Sequence, residues 1–293
     1  MKIAFIGTVE FSYNALQLIL AENYNVVGVI TKASAGFNSD FVDLSPLCKQ
    51  NNIPYKAVKD INDSENVHWL KSLQPDVIFC FGWSQLLKND ILNICRLGVI
   101  GYHPAMLPAN KGRHPLIWAL VLGLEKTGST FFRMDQGADT GDILSQEEII
   151  IDINDDARSL YNKTIKTALN QIKNFLPRLS NNTFKLIPQE KLEGNNWRKR
   201  RQIDGKIDFR MTSRSIHNLV RALSDPYPGA HIECEGKDIK VWKVKEIDIF
   251  APNIEPGKVL SNENATITVK TIDSGIILLK HEFEILPKIG SYL

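Results

Sequence analysis

The sequence predicts an α/β fold: an open, mainly parallel sheet with helices on both faces over the first 150 residues, and a smaller β-rich domain after it. Three observations carry this. Short, near-continuous apolar runs at 2–6 (KIAFI), 25–31 (NVVGVIT) and 76–81 (DVIFCF) have the texture of parallel strands buried on both faces. Segments with helical spacing separate them, the alternation that builds a doubly covered sheet. From about residue 229 the alternation gives way to short β-type runs broken by turns.

Each element follows in turn. Residues 10–22 carry helical spacing through Phe11, Leu16, Leu18 and Ile19, and 41–51 and 62–73 supply two further helices. A short strand at 97–101 ends at Gly101. Pro115 suits the first position of a helix, so 115–124 reads as one. Strands follow at 127–134 and 143–152. The longest helix spans 156–179, with Leu160, Ile165, Leu169, Ile172, Phe175 and Leu176 along one side. Residues 189–206 are polar, with four basic residues among the five from 197 to 201. That change of texture marks the domain junction: a first domain over 1–188, a linker over 189–205 and a C-terminal domain over 206–293. A helix at 212–223 is capped by Ser213 or Thr212. Strands at 239–245, 257–261, 265–271 and 275–281 complete a small barrel or sandwich.

Composition excludes several classes. With 43% hydrophobic and 23% charged residues and a net charge of +2, the chain reads as globular and demands neither a nucleic-acid nor a membrane partner. No run approaches the length of a transmembrane helix. The opening MKIAFIGTVEF lacks the long apolar core of a signal peptide and reads as a first strand, so a cytoplasmic protein is expected. Cys48, Cys80, Cys95 and Cys234 are widely spaced, with no CxxC, which predicts reduced thiols and no metal. The turn GTVEFS at 7–12 has one glycine where a dinucleotide-binding turn has three, which disfavours NAD and FAD.

Two turn-rich segments stand out. Residues 98–115, GVIGYHPAMLPANKGRHP, leave an apolar strand and hold His103, Asn110, Lys111, Arg113 and His114. Residues 135–142, DQGADTGD, hold Asp135, Asp139 and Asp142. In open α/β sheets, ligands bind beyond the carboxyl ends of the strands. Both segments are expected to leave strands at the same sheet edge, so that a His–Asp pair forms across them. The carboxylate would fix the imidazole tautomer and stabilise its protonated form. On spacing alone, the same aspartates read equally well as turn residues accepting backbone N–H groups.

The runs HPAMLP (103–108), GRHPLIWAL (112–120) and TGSTFFRMDQGADTGDIL (127–144) together resemble the core of the folate-dependent formyltransferases. The likeness extends from MKIAFIGT to about residue 245, and FGWSQLL at 81–87 is similar to the family's folate-side loop. The resemblance implies a doubly wound N-terminal domain, an OB-like C-terminal domain and an N-formyltransferase that uses 10-formyltetrahydrofolate without a metal. The cosubstrate would lie along Phe81, Gly82, Trp83, Gln85 and Leu86 and along Asp135, Gly137 and Asp142, held largely by backbone groups. It also implies an Asn–His–Asp triad in which His103 and Asp139 take the last two places. The Asn place, two residues before the His, holds Gly101. Its oxyanion-donating role then falls to another group: Asn110 is favoured, beside protonated His103, a backbone N–H freed by Gly101, or a water.

Residues 197–230 resemble the corresponding segment of tRNA formyltransferases and of the enzyme that formylates UDP-4-amino-4-deoxyarabinose. The WRKRRQIDG and NKGRHP stretches are more similar to the sugar-nucleotide branch. In 229–293 carboxylates outnumber lysines and arginine is absent, which argues against a tRNA surface. The implied acceptor is the amine of a nucleotide-linked deoxyamino sugar for surface polysaccharide or glycan synthesis. Lys111, Arg113, His114 and Arg200 are its expected contacts. Methionyl-tRNA formyltransferase and a catalytically impaired folate- or nucleotide-binding relative are the alternatives. Enzymes of this kind often pair, so a homodimer is compatible with the resemblance.

Overall fold

The computed structural model describes residues 1–34, 39–189, 194–234 and 236–293. Residues 190–193 of the expected linker lie outside them. In chain order the elements are β1 (Lys2–Gly7), α1 (Glu10–Ala21), β2 (Asn25–Thr31), α2 (Ser45–Gln50), β3 (Tyr55–Ala57), α3 (Ser64–Ser72), β4 (Val77–Phe81), α4 (Asn89–Leu92), β5 (Val99–His103), β6 (Lys111–Gly112), α5 (Pro115–Val121), β7 (Lys126–Arg133), β8 (Ile143–Ile150), α6 (Ala157–Ser180), β9 (Asn196–Trp197), α7 (Ser213–Ala222), β10 (Ala230–Cys234), β11 (Lys237–Ile247), β12 (Val259–Ser261), β13 (Ile267–Lys270) and β14 (Gly275–His281).

The chain forms two compact units that interleave along the sequence. One holds Met1–Pro115, Thr127–Ile149 and Asn162–Trp197; the other holds Leu116–Lys126, Ile150–Tyr161 and Arg198–Leu293. The first is built on a seven-stranded sheet in the order β3-β2-β1-β4-β5-β7-β8. Strands β1 to β5 run parallel. All five residues of β4 are buried, as a strand covered on both faces requires. The order reverses between β1 and β4, the switch point at which such sheets open a ligand crevice.

Strand β7 runs antiparallel to β5, with His103 opposite Thr130 and Ile100 opposite Arg133. This corrects the expectation of a shared sheet edge. The loop after β7 starts level with Ile100, three residues back from His103, or about 10 Å along the strand. It must fold back to reach the histidine. Strand β5 also continues two residues past Gly101, so His103 is its last residue and is fixed by the sheet rather than carried on a loop.

In the second unit β10 to β14 form an antiparallel sheet in the order β10-β11-β14-β13-β12. Helix α7 is capped by Thr212, whose hydroxyl accepts the Ser215 N–H at 3.1 Å. Buried Arg221 donates to the carbonyls of Asp152, Ile153 and Asp155. Beside it, burial together with Arg221 and Arg214 lowers the His217 pKa from 6.5 to about 4. Glu246 lies 3.7 Å from His217 Nδ1, but its other oxygen is engaged by Arg214 at 3.3 Å. Between those two pH values the unfolded chain binds a proton that the folded chain refuses. His217 therefore supports stability fully above about pH 6.5, and that support is lost as pH falls toward 4, by roughly 2–3 kcal/mol. Denaturant unfolding across this window is expected to show a shallower acid loss in His217→Gln than in the parent. Equal slopes would remove His217 from the account.

Cys48, Cys80, Cys95 and Cys234 are free thiols, and burial raises the first three, to about 11, 12 and 12. Among the described residues no helix is long and apolar enough to cross a membrane, and no cluster of three or more His, Cys, Asp or Glu could hold a metal ion.

Candidate functional site

The site grows from the end of β5. His103 is 5% exposed, and each of its ring nitrogens faces an acceptor. Nε2 lies 2.8 Å from the carbonyl of Asn110, and Nδ1 lies 3.6 Å from Oδ2 of Asp139. A neutral imidazole has a single N–H, and the shorter contact assigns it to Nε2. The lone pair is then on Nδ1, facing the carboxylate. A proton arriving at Nδ1 leaves the ring hydrogen-bonded on one side and next to a negative charge on the other.

Asp139 reaches this position because the 135–142 loop is shaped from within. The Asp135 carboxylate accepts from the Gly137 N–H at 2.9 Å and from the Thr140 hydroxyl at 2.6 Å. A Cβ on Gly137 would lie 2.0 Å from that hydroxyl. The loop's base is closed by the Arg133 N–H donating to the Asp142 carbonyl at 2.8 Å. Gln189 donates to the carbonyls of Asp139 and Gly141 at 3.1 and 2.7 Å. The Gly112 N–H donates to Asp139 Oδ2 at 3.0 Å. The expected cofactor contacts Asp135, Gly137 and Asp142 are thus used in building the loop, Asp142 through its backbone carbonyl.

Gly101, where the resemblance implies an asparagine, leaves no room for a side chain. A Cβ on Gly101 would lie 2.8 Å from Cγ of Met134, 3.0 Å from its sulfur and 3.1 Å from Cζ of Phe132. Gly101 sits inside the ladder, opposite Cys80 on one side and Phe132 on the other. Its N–H serves the sheet, which removes it as a freed donor. Asn110 stands beside His103 with its side-chain amide unbonded among the described residues. Its φ of 62° is a left-handed conformation that asparagine tolerates better than most residues.

The loop over 81–87, expected to lie beside the folate, follows β4, the neighbour of β5. Arg113 donates to the Ser84 carbonyl at 3.2 Å and so ties the two loops together. Trp83 carries a buried Nε1–H with no partner among the described residues. Lys32, which the sequence did not single out, lies 5.0 Å over the Trp83 ring and donates to the Ser84 hydroxyl at 3.4 Å. Leu86 is exposed, and Gly82 takes a φ of 65°.

Three expected contacts are corrected. Phe81 is fully buried among Phe5, Phe11, Phe79 and Phe131, so its ring cannot touch a cosubstrate, and its carbonyl accepts the Ser12 hydroxyl at 2.6 Å. Gln85 turns its amide away to the Lys59 carbonyl at 2.8 Å and the Ile61 N–H at 3.3 Å, and so shapes the loop instead. Arg200 belongs to the second unit and is 8% exposed. Its guanidinium stacks 4.6 Å over Trp118 and donates to the Asp204 carbonyl, so packing occupies the group meant for a substrate. Burial accordingly lowers its pKa. Lys111 lies on β6 beside the site, and its ammonium is unpaired among the described residues. Half-buried His114 follows on the same loop at a φ of 58°.

A family model described as Formyl transferase matches residues 1–176, and one described as Formyl transferase, C-terminal domain matches residues 199–285. Methionyl-tRNA formyltransferase of Clostridioides difficile (strain 630) is 34% identical, covering 100% of this chain and 96% of that protein. Among solved structures, the sugar 3N-formyl transferase WlaRD, in the presence of dTDP and 5-N-formyl-THF, is similar with a TM-score of 0.71 at 24% identity, over 97% of this chain and 99% of that one. The N-formyltransferase from Helicobacter canadensis, in complex with folinic acid and dTDP-3-aminofucose, gives 0.70 at 22% identity, over 95% and 98%.

Proposed function

We propose that this chain, which belongs to the formyl transferase family, transfers a formyl group from 10-formyltetrahydrofolate to the amine of a nucleotide-linked deoxyamino sugar in the cytoplasm. The observation that carries the reading is the buried His103 with Nδ1 3.6 Å from Asp139 at the end of β5.

The cosubstrate would supply the formyl group: the amine nitrogen bonds to its carbon, the bond from that carbon to the folate nitrogen breaks, and tetrahydrofolate leaves with the proton that the amine gives up through His103. The loop after β4 suits such a ligand: among the described residues the buried Trp83 Nε1–H lacks a partner, which a heterocycle acceptor would provide. Trp83, Gly82 and Leu86 would hold it, with backbone groups of the 135–142 loop. His103 takes the proton of the amine at Nδ1. Asp139 stabilises the resulting imidazolium. The Asn110 amide donates to the oxygen on which charge develops, in place of the family asparagine. Lys111 and Arg113 supply the positive charge that a diphosphate requires, and His114 positions the loop.

Two solved sugar formyltransferases match nearly the whole chain in fold, and the acidic 229–293 segment suits a small substrate better than a tRNA. Methionyl-tRNA formyltransferase is the second reading, favoured by the 34% identity to the clostridial enzyme. The test is a panel of acceptors with 10-formyltetrahydrofolate: dTDP- and UDP-linked amino sugars against charged initiator tRNA. Turnover of an amino sugar supports the proposal. Turnover confined to the tRNA, with steep salt dependence, would establish the second reading. Folate binding without turnover on any amine would make the chain an impaired relative.

A further inference from the structure

We propose that Asn195 is a positioning residue that fixes the ring of His103 through Asn110; the inference rests on the formyl-transfer reading above. Residues 194–197 are far from the histidine loop in sequence but lie against it. Strand β9 pairs in parallel with β6, Asn196 opposite Lys111 and Trp197 opposite Gly112. The Lys111 N–H donates to the Asn195 carbonyl at 3.0 Å, and the Arg113 N–H donates to the Trp197 carbonyl at 3.1 Å. Two glycines make this approach feasible. A Cβ on Gly112 would lie 2.3 Å from the Trp197 carbonyl oxygen, and one on Gly194 would lie 2.3 Å from that of Pro108.

Within this contact the Asn195 side chain does something the strand pairing does not. Its Oδ1 accepts the Asn110 N–H at 2.8 Å. That bond holds Asn110 at a φ of 62°, and in this conformation its carbonyl accepts from His103 Nε2. The same strap backs Gly112, whose N–H holds Asp139. One exposed asparagine therefore sets the acceptor that keeps the proton on Nε2 and the lone pair on Nδ1. Without its oxygen the Asn110 N–H turns to water and the carbonyl loses its fixed direction.

The full-length enzyme is compared with Asn195→Ala and Asn195→Asp. The alanine variant is expected to lose roughly tenfold in kcat, the scale of one hydrogen bond, with the KM for 10-formyltetrahydrofolate unchanged within about twofold. The aspartate variant keeps an acceptor oxygen and restores kcat to within about threefold of the parent. Nitrogen-15 spectra of labelled histidine, with His103 assigned by its loss in His103→Ala, report the tautomer directly. The parent is expected to show the Nε2–H form and the alanine variant a mixture of forms. Parental kcat in Asn195→Ala, an aspartate variant as impaired as the alanine one, or an unchanged His103 tautomer would overturn the proposal. If the parent formylates no amine, the functional reading fails, and the spectra alone decide the role of Asn195.

Discussion

His103→Ala is expected to lower kcat for formyl transfer by roughly 10²–10⁴-fold, the range for losing a positioned proton acceptor. The KM for 10-formyltetrahydrofolate should change little, because the ring faces Asp139 and Asn110 rather than the loop after β4. The fold should persist. His103 ends its strand, and the Tyr102–Phe131 and Gly101–Phe132 pairings behind it do not depend on the ring. Steady-state kinetics with either acceptor class measures this. A rate within about threefold of the parent would remove His103 from the proton transfer.

The second large effect is expected at Asn110, the side chain proposed to donate to the developing oxyanion. Asn110→Gly removes only the side-chain amide. Glycine adopts a φ of 62° without strain, so the N–H to Asn195 and the carbonyl to His103 stay in place. If the amide stabilises the developing charge on the formyl oxygen, kcat should fall by roughly 10²-fold at unchanged thermal stability. Asn110→Asp keeps the shape but not the donor and should fall at least as far. Parental kcat in both variants would assign the role to another group. The Gly101 N–H is not available for it, because that residue is enclosed by the sheet ladder.

Much of the fold could be read from local pattern. Strands β1, β2 and β4 are short apolar runs, and burial on both faces is what such runs mean. Pro115 opens α5 as its fixed φ predicts. What escaped is what depends on distant partners. The direction of β7 is set by pairing with β5, not by its own residues, so local pattern puts the loop holding Asp139 at the wrong end. The apolar run ends at Gly101, because Tyr102 and His103 break it, although the ladder to Phe131 and Thr130 extends β5. Phe81 and Gln85 lie in the expected loop, but no sequence pattern states which way a side chain turns. Arg200 sits in a basic run that reads as a phosphate contact; its partner, Trp118, is far away in the chain. Asn195 reads as linker for the same reason. Its contact with Asn110 spans 85 residues.

The pairing of His103 with Asp139 is tested most directly by a double-mutant cycle on kcat/KM with His103→Ala, Asp139→Asn and both together. Two groups that act as one unit give non-additive losses, so the double variant is expected to be no slower than His103→Ala alone. Losses that multiply, as for independent sites, would mean that the carboxylate does not work through the imidazole, and the account of this site would fall.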